Sequence, residues 1–315
     1  MNLVFCGTPR FAVPTLEALL AAGHEIALAV SQPDRPVGRK QELTAPPVKQ
    51  CALAAGIPVV QPEKIRNNAE FRAQLEAIAP DAIVVVAYGR IIPPWMLALP
   101  RLGCINLHAS LLPKYRGAAP IQWSVAMGDA VTGNTTMLLE EGLDTGPILL
   151  QREMAITAEQ TAADLFDALA LAGAPLMVET LAGLADGRIQ PQAQDHERAT
   201  LAPLLDRESG RMDFAQFTAQ EIKNRWRGFQ PWPGAFTLLD GKKLIVHRLG
   251  VEEISSLDGA METPTGQIHV EDHRLFVACA QSTWIELLEV QLEGKKRMSA
   301  GDFLRGTHLP AAVKI

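Results

Sequence analysis

The chain has 315 residues, 48% of them hydrophobic, and a net charge of −6. That length is comfortable for two domains, and the composition supplies a sizeable core. A chain this acidic is not a general nucleic-acid binder, so any basic contact face must be local, and no uninterrupted apolar run reaches the ~20 residues that span a bilayer.

The N-terminus opens directly into a strand over residues 3–6, with no basic leader or cleavage site. Gly7-Thr8-Pro9 breaks that strand. A helix follows over 14–22, stopped by Gly23, and then a second strand over 24–31. Residues 32–40 read as a long polar loop with two prolines and the basic residues Arg35, Arg39 and Lys40. Helix 46–56, a short strand at 58–60 and helix 69–79 lead to 82–87, an all-apolar strand of the kind covered on both faces in a parallel sheet. A short helix (93–99) precedes the stretch 103–117. Beyond it come a helix at 118–127, strands at 135–139 and 148–152, and a long helix over 157–185. Thr157-x-x-Gln160 is available there as a capping box.

This alternation predicts an α/β fold with a doubly wound, mostly parallel sheet, Rossmann-like, over residues 1–186. Residues 187–205 lack a clean period and read as a linker. Residues 206–315 carry one helix (220–227), then short strands at 235–239, 243–249, 266–270, 275–278 and 284–290. That rhythm predicts a small β-barrel of OB type. The four cysteines are scattered, without CxxC or zinc spacing, which fits a reducing cytoplasm.

The chemistry concentrates in 103–117. Cys104, Ile105 and Leu107 are apolar, but Asn106 and His108 interrupt them at i, i+2, which on a strand places both on one face. Two buried polar groups on one face need partners, at about 1–3 kcal/mol each if unmade. Leu112-Pro113 then forces an extended turn at what is predicted to be the C-terminal end of a sheet strand, where ligands bind in open α/β folds. A core histidine with an asparagine cap is the plain alternative. Asp144, exposed by a Gly142-Leu143-Asp144-Thr145-Gly146 turn, supplies a carboxylate that such a reading leaves idle. A dinucleotide enzyme would need G-x-G-x-x-G after the first strand. Only Gly7 is present, and Ser31-Gln32 stand where an acidic residue belongs.

Several motifs recur in a fixed order: Phe5-Cys6-Gly7-Thr8-Pro9, Gln32-Pro33-Asp34-Arg35-Pro36-x-Gly38-Arg39, Val86-Ala87-Tyr88-Gly89, the stretch 103–120, Gly142 to Gly146, Pro231-Trp232-Pro233 and Gly294-Lys295-Lys296. On these the chain resembles the folate-dependent formyltransferases and, through the 32–40 loop and the C-terminal half, those acting on methionyl-tRNA. The resemblance implies a monomer that moves the formyl group of 10-formyltetrahydrofolate onto the α-amino group of initiator Met-tRNA, without a metal. It implies catalytic roles for Asn106, His108 and Asp144. Ser110, Leu111, Leu112 and Pro113 would border the folate, together with backbone around Tyr88. Arg35, Arg39, Lys40, Lys295, Lys296 and Arg297 would meet the tRNA, as could Arg225 and Arg227 on the helix of the second domain. Two alternatives stay open: a formyltransferase acting on an amino sugar nucleotide, and a non-catalytic folate or RNA binding module.

Overall fold

The computed structural model describes residues 1–38, 41–252, 263–307 and 309. The chain divides into two compact units. The first is Met1–Ile121, Val131–Ile156 and Asp164–Pro203; the second is Gln122–Ala130, Thr157–Ala163 and Leu204–Ile315.

The first unit alternates strand and helix through β1 (Asn2–Gly7), α1 (Val13–Ala21), β2 (Glu25–Val30), β3 (Arg35–Val37), β4 (Glu42–Thr44), α2 (Pro47–Ala54), β5 (Val59–Val60), α3 (Ala69–Ile78), β6 (Ala82–Val86), α4 (Pro94–Leu97) and β7 (Cys104–His108). The chain continues with β8 (Arg116–Gly117), α5 (Pro120–Ala126, from residue 122 onward part of the second unit), β9 (Val131–Leu138), β10 (Ile148–Ala155), α6 (Ala162–Ala185, in the first unit from Asp164) and β11 (Leu201–Ala202). Seven strands form one sheet in the order β10-β9-β7-β6-β1-β2-β5. β5, β2, β1, β6 and β7 run parallel, β9 pairs antiparallel with β7, and β10 pairs antiparallel with β9 at the edge. The apolar runs explain the interior position of β1 and β6, because Leu3–Cys6 and Ala82–Val86 are buried on both faces. The loop read over 32–40 contains a strand instead, since Arg35 to Val37 pair with Glu42 to Thr44 in a small hairpin.

α6 has 24 residues and is long and apolar enough to cross a bilayer, although no uninterrupted apolar run within it reaches that length. Asp164, Asp167 and Glu179 interrupt the run, so counting consecutive apolar residues misses it. In the structure α6 packs as a core helix, with Leu165, Leu169, Leu176, Met177 and Leu181 at most 1% exposed. It lies close to the sheet at Gly173, where a β-carbon would come within 2.6 Å of Leu107 Cδ2 on β7. The capping box read at its start does not cap it. Gln160 Oε1 does accept from Thr157 N–H at 2.8 Å, but over a turn that ends before the helix begins at Ala162.

Residues 187–203 are not a free tether. Gln192 bridges Ile148, and β11 pairs with β8 in parallel, Arg116 N–H donating to Thr200 O at 2.8 Å and Ala118 N–H to Ala202 O at 2.9 Å.

The second unit contains α7 (Ala219–Gly228), β12 (Phe236–Leu239), β13 (Lys242–Glu252), β14 (Ile268–Glu271), β15 (Arg274–Ala278), β16 (Trp284–Leu292), β17 (Met298–Ser299) and α8 (Ala300–Gly306). Its strands form one antiparallel sheet, β12-β13-β16-β15-β14, with β17 beside β16, in keeping with a small barrel. The inner face carries Leu244, Val246, Leu275, Val277, Ile285, Leu287 and Val290, closed by Ile222 of α7 and Phe303 of α8. α7 starts at a complete capping box: Glu221 N–H donates to Thr218 Oγ1 at 3.3 Å, and Thr218 N–H to Glu221 Oε2 at 2.8 Å.

Two arginines of α7, read as candidates for a tRNA backbone, are structural. Arg227 is 4% exposed, and its guanidinium donates to the carbonyls of Thr157 (3.0 Å) and Gln160 (2.9 Å) and to Asn224 Oδ1 (2.8 Å). Arg225 lies over the rings of Phe217, Phe229 and Trp123 at 4.4, 5.3 and 5.7 Å. Arg227→Met is expected to remove the three hydrogen bonds by which this buried guanidinium ties Thr157, Gln160 and Asn224 together and to cost about 2–4 kcal/mol of stability. Denaturant unfolding of the full chain measures this; an unchanged midpoint would make the arginine dispensable to the unit.

Candidate active site

β7 ends with Asn106 and His108 side by side on one face, 9% and 5% exposed. The strand lies between parallel β6 and antiparallel β9, so its backbone is bonded on both sides and the two side chains are held rigidly. The ring of His108 is anchored at one nitrogen. Its Nε2 lies 2.9 Å from the carbonyl oxygen of Tyr115. A carbonyl only accepts, so Nε2 carries a hydrogen and donates it. Nδ1 faces Asp144 Oδ2 at 3.7 Å, too long for a direct hydrogen bond but within reach of an ion pair. The side-chain amide of Asn106 has no hydrogen-bond partner among the described residues. Nδ1, the Asp144 carboxylate and the Asn106 amide are therefore the groups left to meet a reacting molecule.

The loop after β7 is tied down by two strand residues that the sequence reading passed over. Thr135 Oγ1 on β9 donates to Ser110 O at 2.6 Å and accepts from Leu112 N–H at 3.1 Å. Gln151 Nε2 on β10 donates to Leu112 O and to Thr135 Oγ1, both at 2.9 Å. Their signal was a polar residue inside each of two paired strands, which can be seen only once the strands are aligned. Within the loop Ser110 Oγ donates to Lys114 O at 2.7 Å. Of the four residues read as a folate border, Ser110 and Leu112 are buried in the loop's own packing, and Leu111 and Pro113 are half-buried. The backbone at Tyr88 is also engaged, its carbonyl accepting from Thr8 Oγ1 and Gln32 Nε2, each at 3.1 Å. Gly7 serves packing, since a β-carbon there would meet Phe5 Cε1 at 2.8 Å and Ala12 Cβ at 2.9 Å.

Asp144 sits in a left-handed conformation, φ 50°, which aspartate tolerates better than most residues. Its Oδ2 accepts from Gly117 N–H at 2.8 Å. The backbone of its turn is gripped by Gln194, whose Nε2 donates to Asp144 O at 2.9 Å and Gly146 O at 2.7 Å. Gln194 Oε1 in turn accepts from Arg116 Nε at 3.1 Å and Nη2 at 2.6 Å. Gln194 lies in the stretch read as a linker, and Arg116 lies within 103–117, where the sequence gives it no role of its own. The thiol of Cys104, two residues before Asn106, is pushed up to about 12 by burial, which removes it as a nucleophile.

The basic residues read for tRNA fall into three groups. Arg35 is exposed on β3, above a root fixed by Asp34, whose carboxylate accepts from Lys49 Nζ at 2.9 and 2.8 Å and from Gln61 Nε2 at 2.7 Å. Those bonds, Lys49's first, hold the Asp34 carboxyl below its ordinary range. Arg39 and Lys40 lie outside the described residues. Lys295 and Lys296 are exposed in the turn between β16 and β17, whereas Arg297 is held by Glu289 through Nε at 2.8 Å and through Nη2.

Residues 1–181 match the Formyl transferase family, and residues 204–308 match Formyl transferase, C-terminal domain. The methionyl-tRNA formyltransferase of Acidobacterium capsulatum is 65% identical over 100% of this chain and 99% of its own. The chain belongs to the methionyl-tRNA formyltransferase family. The member from Koribacter versatilis is 57% identical over 100% of this chain and 98% of its own. Among solved structures, an N-formyltransferase from Helicobacter canadensis, in complex with folinic acid and dTDP-3-aminofucose, shares the fold. Its TM-score is 0.64 at 17% identity, covering 90% of this chain and 98% of that one.

The family's folate-dependent chemistry gives the Gly117 contact a direct test. Gly117 has φ 122°, and a β-carbon on it would stand 2.7 Å from Ala202 O. Gly117→Ala is expected to part β8 from β11, to move the N–H away from Asp144 and to lower kcat by at least ~10-fold. Steady-state formylation rates check this, and a kcat equal to the parent's would mean the contact is incidental.

Proposed function

We propose that the chain transfers the formyl group of 10-formyltetrahydrofolate to the α-amino group of methionine on initiator Met-tRNA, for translation initiation, in the cytoplasm. The observation that carries the reading is the arrangement at the end of β7: a histidine with one ring nitrogen committed to a carbonyl, the other facing a carboxylate, and an uncommitted amide on the same strand face.

Attack of the methionine nitrogen forms a bond to the formyl carbon and places negative charge on the formyl oxygen. Asn106 N–H and His108 Nδ1–H donate to that oxygen. Because Nε2 already donates to Tyr115, an Nδ1 that also donates makes the ring a cation. Asp144, 3.7 Å away, supplies the countercharge. The attacking nitrogen gives its proton to Asp144, directly or through one water. Collapse breaks the bond from the formyl carbon to the folate nitrogen, which leaves as an amine with that proton. Leu111 and Pro113 offer the folate an apolar wall. Arg35, Lys295 and Lys296 offer the tRNA backbone positive charge.

The deciding experiment incubates the chain with 10-formyltetrahydrofolate and charged initiator tRNA and assays N-formylmethionine. Product on an amino sugar nucleotide instead would overturn the reading. His108→Ala is expected to lower kcat by about 10²–10³ with folate binding retained, since it removes one oxyanion donor. Near-parental kcat would remove His108 from the chemistry. Lys295→Ala with Lys296→Ala is expected to weaken kcat/KM for all tRNAs alike and to reduce the salt slope by about one ion per lysine. An unchanged salt slope would return that turn to ordinary solvated surface.

A further inference from the structure

We infer that Gln194 is a positioning residue for formyl transfer, setting the place of the Asp144 carboxylate through the backbone of its turn; the inference rests on the role given to Asp144 above. The side chain of Gln194 is 6% exposed and uses every strong bonding group it has. Both N–H bonds of Nε2 go to one turn, at the carbonyls of Asp144 and Gly146. Both lone pairs of Oε1 go to one guanidinium, at Arg116 Nε and Nη2. The arginine settles the orientation of the amide, because a guanidinium only donates and must face the oxygen.

Arg116 is itself buried, 7% exposed, and its Nη2 also meets His196 Nδ1 at 3.0 Å. A buried guanidinium is held in place by its acceptors, so it makes a rigid anchor for the glutamine. The residue after it, Gly117, donates its N–H to Asp144 Oδ2. Asp144 is thus held twice from one short strand: its carboxylate by Gly117, and its carbonyl by Gln194 acting from Arg116. A left-handed aspartate needs such support to persist. Without the glutamine the turn is free to pivot about the Gly117 contact, and the 3.7 Å approach of Oδ2 to His108 Nδ1 is lost. A displacement of about 1 Å in a reacting group costs on the order of 10²-fold in rate.

Gln194→Glu is the test, in the full chain with 10-formyltetrahydrofolate and Met-tRNA. It preserves size and the acceptor for Arg116 but sets an oxygen against two carbonyls. The expected result is a kcat lowered about 10–100-fold, KM for both substrates within about twofold of the parent, and a melting temperature within a few degrees. In an Asp144→Asn background the same substitution is expected to cost less than about threefold, because the group it positions is already gone. Parental kcat, or an equal loss in both backgrounds, overturns the inference. Should the glutamate variant not fold, Gln194→Asn must give the same split. It keeps the amide on a stem one methylene shorter, and losses confined to KM or fully additive with Asp144→Asn overturn the inference again. A parent inactive on Met-tRNA sinks the functional reading and this one together. An active parent with an unimpaired Gln194→Glu sinks this one alone.

Discussion

The hydrogen bond from His108 Nε2 to the Tyr115 carbonyl is the contact on which the candidate site depends. It decides which ring nitrogen is free, and so which group Asp144 must face. It also requires the loop from Ala109 to Tyr115 to fold back over the end of β7. Thr135 and Gln151 secure that fold from the neighbouring strands, and Ser110 secures it from within. The sheet enters the chemistry here. β9 runs antiparallel beside β7 and carries β10 on its far side, so the polar side chains of both come level with the loop. A wholly parallel sheet would have presented β7 to a crossover helix instead.

Much of this was legible in the sequence, for local reasons. Two polar residues at i, i+2 in an apolar run mark a strand with one reactive face, and Asn106 and His108 lie there. A glycine-bounded aspartate marks a turn, and Asp144 occupies one, although its carboxylate is only 15% exposed rather than open to solvent as the turn alone suggests. All-apolar 82–86 marks a central strand, and β6 is one. These signals need only the chain's own periodicity.

What was not legible depended on partners far apart in sequence. The sequence offers a capping box at Thr157 and Gln160, but a complete one forms at Thr218 and Glu221, and nothing local distinguishes the two pairs. Arg225 and Arg227 look like any solvated pair on a polar helix until the ring of Trp123 and two carbonyls 67 and 70 residues upstream of Arg227 close on them. Gln194 sits in a stretch with no period at all, and its importance lies wholly in what it touches, 48 to 78 residues upstream.

The second unit has a bearing on how such a chain can be inherited. It is stitched from three stretches, and two of them, Gln122–Ala130 and Thr157–Ala163, lie inside the span that matches the N-terminal family. Trp123 meets the ring of Phe229 edge-on at 5.5 Å, and a β-carbon at Gly228 would strike the backbone of Gln122 and Ala126. A genetic exchange cutting near residue 204 would carry the barrel away from the segments that complete it. The two halves, although each matches a family of its own, are bound to travel through evolution as one inheritance.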